Sequence, residues 1–190
     1  MIKLIYSTGN VAKIESARMI FEPMGIEVVQ KQIDNLLEIQ ADDFENVAIY
    51  SSKLAFDKLG EMVLKNDGGL VIPKLNGFPG VYTSYVEDTL TEEGILNLMR
   101  DFDKDEDRYA YFVECLALTE ADGNTKVFKC ITEGTIAKEA SGTYGWGLDK
   151  IFIPKGEKET LANFEDEKRY AFWGKQGYLD LANYLLEKYK

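Results

Sequence analysis

Over its first 75 residues the chain alternates short apolar runs with amphipathic stretches, and few folds tolerate that order. An apolar run at residues 2–6 ends in Ser7-Thr8-Gly9-Asn10, small turn-forming residues. Ile14, Ala17, Met19, Ile20 and Phe21 then recur at helical spacing until Pro23-Met24-Gly25. Residues 26–29 predict a second strand. Asp42-Asp43-Phe44-Glu45 opens a helix to Leu59, with Val47, Ala48, Ser51, Ala55 and Leu59 inward. Strands at 62–64 and 70–72 flank Lys65-Asn66-Asp67-Gly68-Gly69. The order β-loop-α-β-α-β predicts a mixed α/β sheet.

Further along, residues 92–99 predict a helix, and 109–118 and 126–137 two strands joined at Asp122-Gly123. A two-residue loop there sets Cys115 opposite Cys130 in a hydrogen-bonded pair, poor geometry for a disulfide. Free thiols are therefore expected. Residues 151–153 predict a last strand and 178–189 a closing helix. No repeat or linker interrupts the chain, so residues 1–190 are expected to form one domain.

Composition removes whole classes of chemistry. The chain has no histidine, so a Ser-His-Asp triad, a Cys-His pair and a histidine-ligated metal are excluded. Lys+Arg 22 against Asp+Glu 33 gives 22 − 33 = −11, which argues against a nucleic-acid partner or an acidic membrane surface. No apolar run reaches the roughly 18 residues of a membrane helix. The opening apolar run is too short for a signal peptide. A soluble, cytoplasmic protein is the expectation, with chemistry resting on carboxylates, lysines, hydroxyls, amides and an oxygen-liganded metal.

Three segments could carry that chemistry. Residues 7–13 join a strand to a helix, where unpaired amides, Thr8, Asn10 and Lys13 suit a phosphate; Asn10 equally suits a helix cap. Asn66-Asp67-Gly68-Gly69 is good turn material, yet a carboxylate between apolar strands is also placed to be held rigidly. Gly142–Asp149 alternates glycine with aromatics, so Trp146 could stack on a base or pack in the core. Glu38, interrupting an apolar stretch, reads alone as a solvated acid.

Taken in order, these segments resemble the inosine triphosphatase family of non-canonical purine nucleoside triphosphate pyrophosphatases. Residues 7–13 look like its Thr-Gly-Asn-x-x-Lys motif, and Glu38-Ile39-Gln40 with Ala48 and Lys53 like its metal-glutamate segment. Asn66-Asp67-Gly68-Gly69-Leu70 and Gly77-Phe78-Pro79-Gly80-Val81-Tyr82 are similar to its Asp-Asp-Ser-Gly-Leu and Gly-x-Pro-Gly-x-Tyr signatures. Gly145-Trp146-Gly147-Leu148-Asp149-Lys150-Ile151-Phe152 is similar to its Gly-Phe-Gly-Tyr-Asp-Pro-Ile-Phe motif. The resemblance implies a mixed twisted sheet in two lobes with a central nucleotide cleft, a homodimer, and Mg²⁺-dependent release of pyrophosphate.

It further implies that Thr8, Gly9, Asn10, Lys13 and Lys53 hold the triphosphate, and that Glu38 and Asp67 bind Mg²⁺. Asp67 would also activate the attacking water. Gly68, Trp146, Gly147, Asp149 and Lys168 would contact the nucleotide. The chain departs from the family at three places. Asn66 and Gly68 replace an acid and a serine, Leu148 and Lys150 flank Asp149 in place of tyrosine and proline, and Phe172-Trp173-Gly174 replaces Ser-His-Arg. Arg169 or Lys175 could compensate for the last. A different base, or nucleotide binding without turnover, are the alternatives.

Overall fold

The computed structural model describes residues 2–173 and 175–189. Its strands are β1 (Ile2–Tyr6), β2 (Ile26–Gln30), β3 (Val63–Val71), β4 (Tyr109–Thr119), β5 (Thr125–Ile136) and β6 (Phe152–Pro154). They form a six-stranded sheet in the order β2-β1-β3-β4-β5-β6. β1 is parallel to β2 and β3, and β5 antiparallel to β6, so the sheet is mixed as expected. The helices are α1 (Val11–Phe21), α2 (Phe44–Leu59), α3 (Thr83–Thr89), α4 (Thr91–Met99), α5 (Asp166–Phe172) and α6 (Lys175–Lys188).

The chain divides into two compact units, one of Met1–Asp67, Glu114–Cys130 and Gly174–Lys190, the other of Gly68–Val113 and Ile131–Trp173. In the first, Leu4, Tyr6 and Leu64 pack with Ile14 and Phe21 of α1 and Leu181 and Leu185 of α6. Ile5 and Val63 point the other way, to Ala55 of α2. Strands covered on both faces have no polar side to show, which is why they read as continuous apolar runs. The core of the second unit gathers Leu70, Ile72, Val86, Ile95, Met99, Ile136, Leu148, Phe152 and Leu161.

Two local expectations are corrected. Residues 65–69 are not a turn between two strands; β3 runs through them unbroken, and neither Gly68 nor Gly69 takes a positive φ. Burial decided this against turn propensity, because Leu64 and Leu70 are both fully buried. Gly69 is required for a different reason. A Cβ there would lie 2.2 Å from Thr83 Oγ1, which donates to Gly80 O and accepts from the Leu70 N–H. The second correction is the β4–β5 loop, which has three residues. The Glu120 N–H donates to Asn124 O and the Gly123 N–H to Glu120 O, both at 2.9 Å, with Gly123 at φ +80°. This is a type I turn with a glycine bulge, and it shifts the ladder by one. The Thr119 and Thr125 hydroxyls meet across it at 2.9 Å. Carried along the strands, that register faces Cys115 with Lys129. Both cysteines are free and buried, and burial raises their thiols to about 11 and about 12.

Helices α3 and α5 had no expectation behind them, since each buries almost nothing apolar: only Val86 in α3, and in α5 only Arg169 is buried. Arg108 is the second unit's unusual core residue, 4% exposed. Its Nε donates to Ile136 O at 2.7 Å, and its Nη1 to Met99 O and Phe102 O at 2.8 and 2.9 Å. Nη2 donates to Ala137 O. One guanidinium thus closes the end of α4 onto the end of β5. Replacing Arg108 by Met strands these carbonyls. Urea denaturation is expected to show a loss of about 3 kcal/mol or more, and a loss under ~1 kcal/mol would mean that water serves them as well.

Candidate functional site

In the first unit the chain leaves β1 with its backbone already committed. The Ser7 N–H donates to Leu64 O at 2.9 Å, and Ser7 is buried. The Asn10 N–H donates to Thr8 Oγ1 at 3.1 Å, and Asn10 Oδ1 accepts from the Lys13 N–H at 3.2 Å, capping α1. The cap and phosphate readings of this loop coexist, because the cap uses Oδ1 and leaves the Asn10 amide N–H groups. The loop walls an open pocket of about 260 Å³. Ser7, Thr8, Gly9, Glu38, Ser51 and Lys65 are among its lining residues; Asn10, Lys13, Lys53 and Asp67 are not. Lys53 is exposed on α2.

Lys65 is the residue that sequence reasoning missed. In a continuous strand, residues 65 and 67 share a face. Burial pulls the Lys65 ammonium below its ordinary range; Glu38 and Asp67 oppose that, and Lys13 adds to it. Lys65 is thus the residue on which three of the expected charges act. On the opposite face of β3, Asn66 Nδ2 donates to Glu114 Oε1 at 2.5 Å. The same oxygen accepts from Tyr178 Oη at 3.1 Å, and Tyr178 Oη lies 3.3 Å from Tyr6 Oη. Burial pushes the Glu114 carboxyl up, partly offset by Lys13, Tyr178 and Asn66.

Among the described residues, no group of three or more His, Cys, Asp or Glu could hold a metal. Mg²⁺ is ordinarily held by one or two carboxylates together with phosphate and water. Glu38 and Asp67, both felt by the same ammonium, are a donor set of that kind.

In the second unit, residues 142–149 fold around Asp149. Its Oδ2 accepts from the Trp146 N–H at 3.1 Å and lies 3.6 Å from Arg169 Nε. Gly145 sits at φ +72°, and a Cβ there would lie 2.0 Å from Asp149 Oδ2. Glu87 Oε1 accepts from the Leu148 N–H at 3.2 Å, beside Gly147. Trp146 itself is 53% exposed, so it packs in no core. Arg169 is buried, with Nη2 2.7 Å from Asp166 Oδ1 and a buried Nη1 that has no hydrogen-bond partner among the described residues. Lys168 lies 3.6 Å from Glu157 Oε1, with its ammonium 3.9 Å from the Phe164 ring centre. Trp173 is set edge-on to Phe112 at 4.9 Å, and Phe172 packs on Phe164 at 5.3 Å. Both serve the core; Gly174 lies outside the described residues.

The sequence pattern of the Ham1 family matches residues 4–173. The chain belongs to this family. A relative from Methanopyrus kandleri, named dITP/XTP pyrophosphatase, is 39% identical over 168 residues, covering 88% of this chain and 87% of its own. One of the same name from Thermococcus kodakarensis is 37% identical over 191 residues and covers 100% of each chain. Among solved structures, the Staphylococcus aureus Ham1 protein superposes with a TM-score of 0.80 at 28% identity, covering 99% of this chain and 100% of that one. A HAM1 protein from Coxiella burnetii gives 0.83 at 24% identity over 98% and 100%, a likeness of fold. The fold class expected from the resemblance is thus shown. No helix of the described residues is long and apolar enough to cross a membrane.

Burial raises the Asp149 carboxyl from 3.8 to about 6 despite the Trp146 N–H and Arg169. The folded protein keeps this proton to a higher pH than the unfolded chain. The stability linked to it is therefore complete below the unfolded value and is lost as pH rises through about 6. Some two pKa units correspond to ~3 kcal/mol. The unfolding free energy of the native protein, measured relative to Asp149→Asn, is expected to fall by about that amount between roughly pH 4 and 6. Parallel pH profiles for the two proteins would contradict it.

Proposed function

We propose that this nucleoside triphosphate pyrophosphatase hydrolyses oxidised-purine triphosphates (dITP, XTP and ITP) to the monophosphate and pyrophosphate. The observation that carries the reading is the capped loop, which shares one pocket with Glu38 and Lys65, while Asp67 lies on the strand face of Lys65. Amides, hydroxyls, an ammonium and a carboxylate in one pocket are groups that suit a metal-bound polyphosphate. The names of the relatives, dITP/XTP pyrophosphatase, agree with it.

In this reading Thr8, Gly9, Asn10, Lys13, Lys53 and Gly68 hold the triphosphate, and Glu38 and Asp67 hold Mg²⁺. The ion, when bound, supplies charge neutralisation and a more acidic water. Asp67 accepts a proton from the water that attacks the α-phosphorus, and the Lys13 and Lys53 ammonium groups balance the charge gathering on the departing pyrophosphate. Trp146, Gly147, Asp149 and Lys168 contact the nucleoside end. A homodimer in the cytoplasm completes the proposal.

A second reading keeps this chemistry and changes the base. It is favoured by Phe172 and Trp173, which pack on Phe164 and Phe112 instead of presenting donors. Arg169, which could have stood in as a donor, is buried beneath Gly145 with its Nη1 shut off from solvent, so it presents no donor to a base either. Pyrophosphate release screened over dITP, XTP, ITP, ATP and GTP separates the two. The oxo-purines lead if the first reading holds. Asp67→Asn is expected to lower turnover at least ~10²-fold, the scale of one general base. Chelation with EDTA is expected to abolish release. Near-normal release by that variant would overturn the assignment of Asp67.

A further inference from the structure

Lys65 lines the pocket, and the reading above gives its ammonium no role. It shares the pocket wall with Ser7, Thr8, Gly9 and Glu38, and shares a strand face with Asp67. Among the described residues, no hydrogen bond or ion pair ties its ammonium to one place, although both Glu38 and Asp67 act on it. An ammonium on a four-carbon stem facing two acids and a polar pocket has two attractive partners and no fixed one.

We propose that Lys65 is a resident cation shared between the acid pair and the substrate's polyphosphate. With the pocket empty, its ammonium partly neutralises Glu38 and Asp67. With a divalent ion on those acids, repulsion from the ion turns the ammonium to the phosphate oxygens lining up along Ser7, Thr8 and Gly9. Lys65 therefore opposes metal binding in the absence of nucleotide and favours phosphate binding. This assignment rests on the function proposed above, because it takes Glu38 and Asp67 as the acids that hold the ion.

These opposite signs make the inference testable by binding alone. Mn²⁺ is titrated into the nucleotide-free protein, and inorganic pyrophosphate into the protein in EDTA, both by calorimetry. Removing one positive charge close to a divalent ion in a solvated pocket is worth about tenfold in affinity. Lys65→Met is thus expected to bind Mn²⁺ about tenfold more tightly and pyrophosphate about tenfold more weakly, while Lys65→Arg stays within about threefold of the native protein on both. Lys65→Gln repeats the measurement, and melting temperatures confirm that each variant folds. If both affinities fall together, Lys65 is merely structural and the inference is overturned. Unchanged Mn²⁺ affinity, unchanged pyrophosphate affinity, or no binding of either probe by the native protein also overturns it. The function proposed above fails separately, if the native protein shows the expected binding yet releases no pyrophosphate from any triphosphate.

Discussion

The wall of the first unit's pocket depends on β3 remaining a strand through Asn66-Asp67-Gly68-Gly69. Strand alternation sends Lys65 and Asp67 to one face, and Asn66 to the other, where it donates to Glu114, itself held by Tyr178. A turn at the same place would scatter those side chains. The strand survives its poor local propensity because Leu64 and Leu70 are buried on either side of the polar stretch, and because Thr83 closes against Gly69. Two buried leucines are worth several kcal/mol, against about 1 kcal/mol for the spread of strand propensities. Packing wins, and the site inherits a rigid floor.

Charge is organised against the grain of the whole molecule. A chain of net charge −11 repels a polyanion at long range, so attraction has to be local and short-ranged. Lys13 and Lys65 act on one another within the first unit, and Lys65 also feels Glu38 and Asp67. Lys65 thus sits among charges of both signs, and the acids offset part of the cost of burying it.

Much of this was legible in the sequence, and the exceptions have a common cause. Strong apolar periodicity located β1, β2, α1, α2, α4 and α6, since elements that bury a stripe must write it in their residues. Helices α3 and α5 bury too little to write anything. The turn expected at residues 65–69 and the two-residue loop at Asp122-Gly123 failed because glycine and aspartate signal turns without saying which contacts will overrule or lengthen them. Lys65 followed from the first of these errors: assigned to a turn, it had no face, and so no neighbours. The motif series, by contrast, named the family from order and spacing, properties that survive local misreading.

In the second unit, aromatic packing holds a guanidinium in the interior. Phe172 and Trp173 turned inward are hydrophobic supports, and their rings hold α5 against Phe164 and Phe112. That packing fixes Arg169, the one buried residue of α5, beneath Gly145 and against Asp149. Asp149 and Asp166 use Nε and Nη2, which leaves Nη1. A buried N–H without a partner costs about 1–3 kcal/mol, a cost that the packing around α5 has to outweigh. A guanidinium never accepts a hydrogen bond, so only an acceptor small enough to enter, such as a water, relieves it.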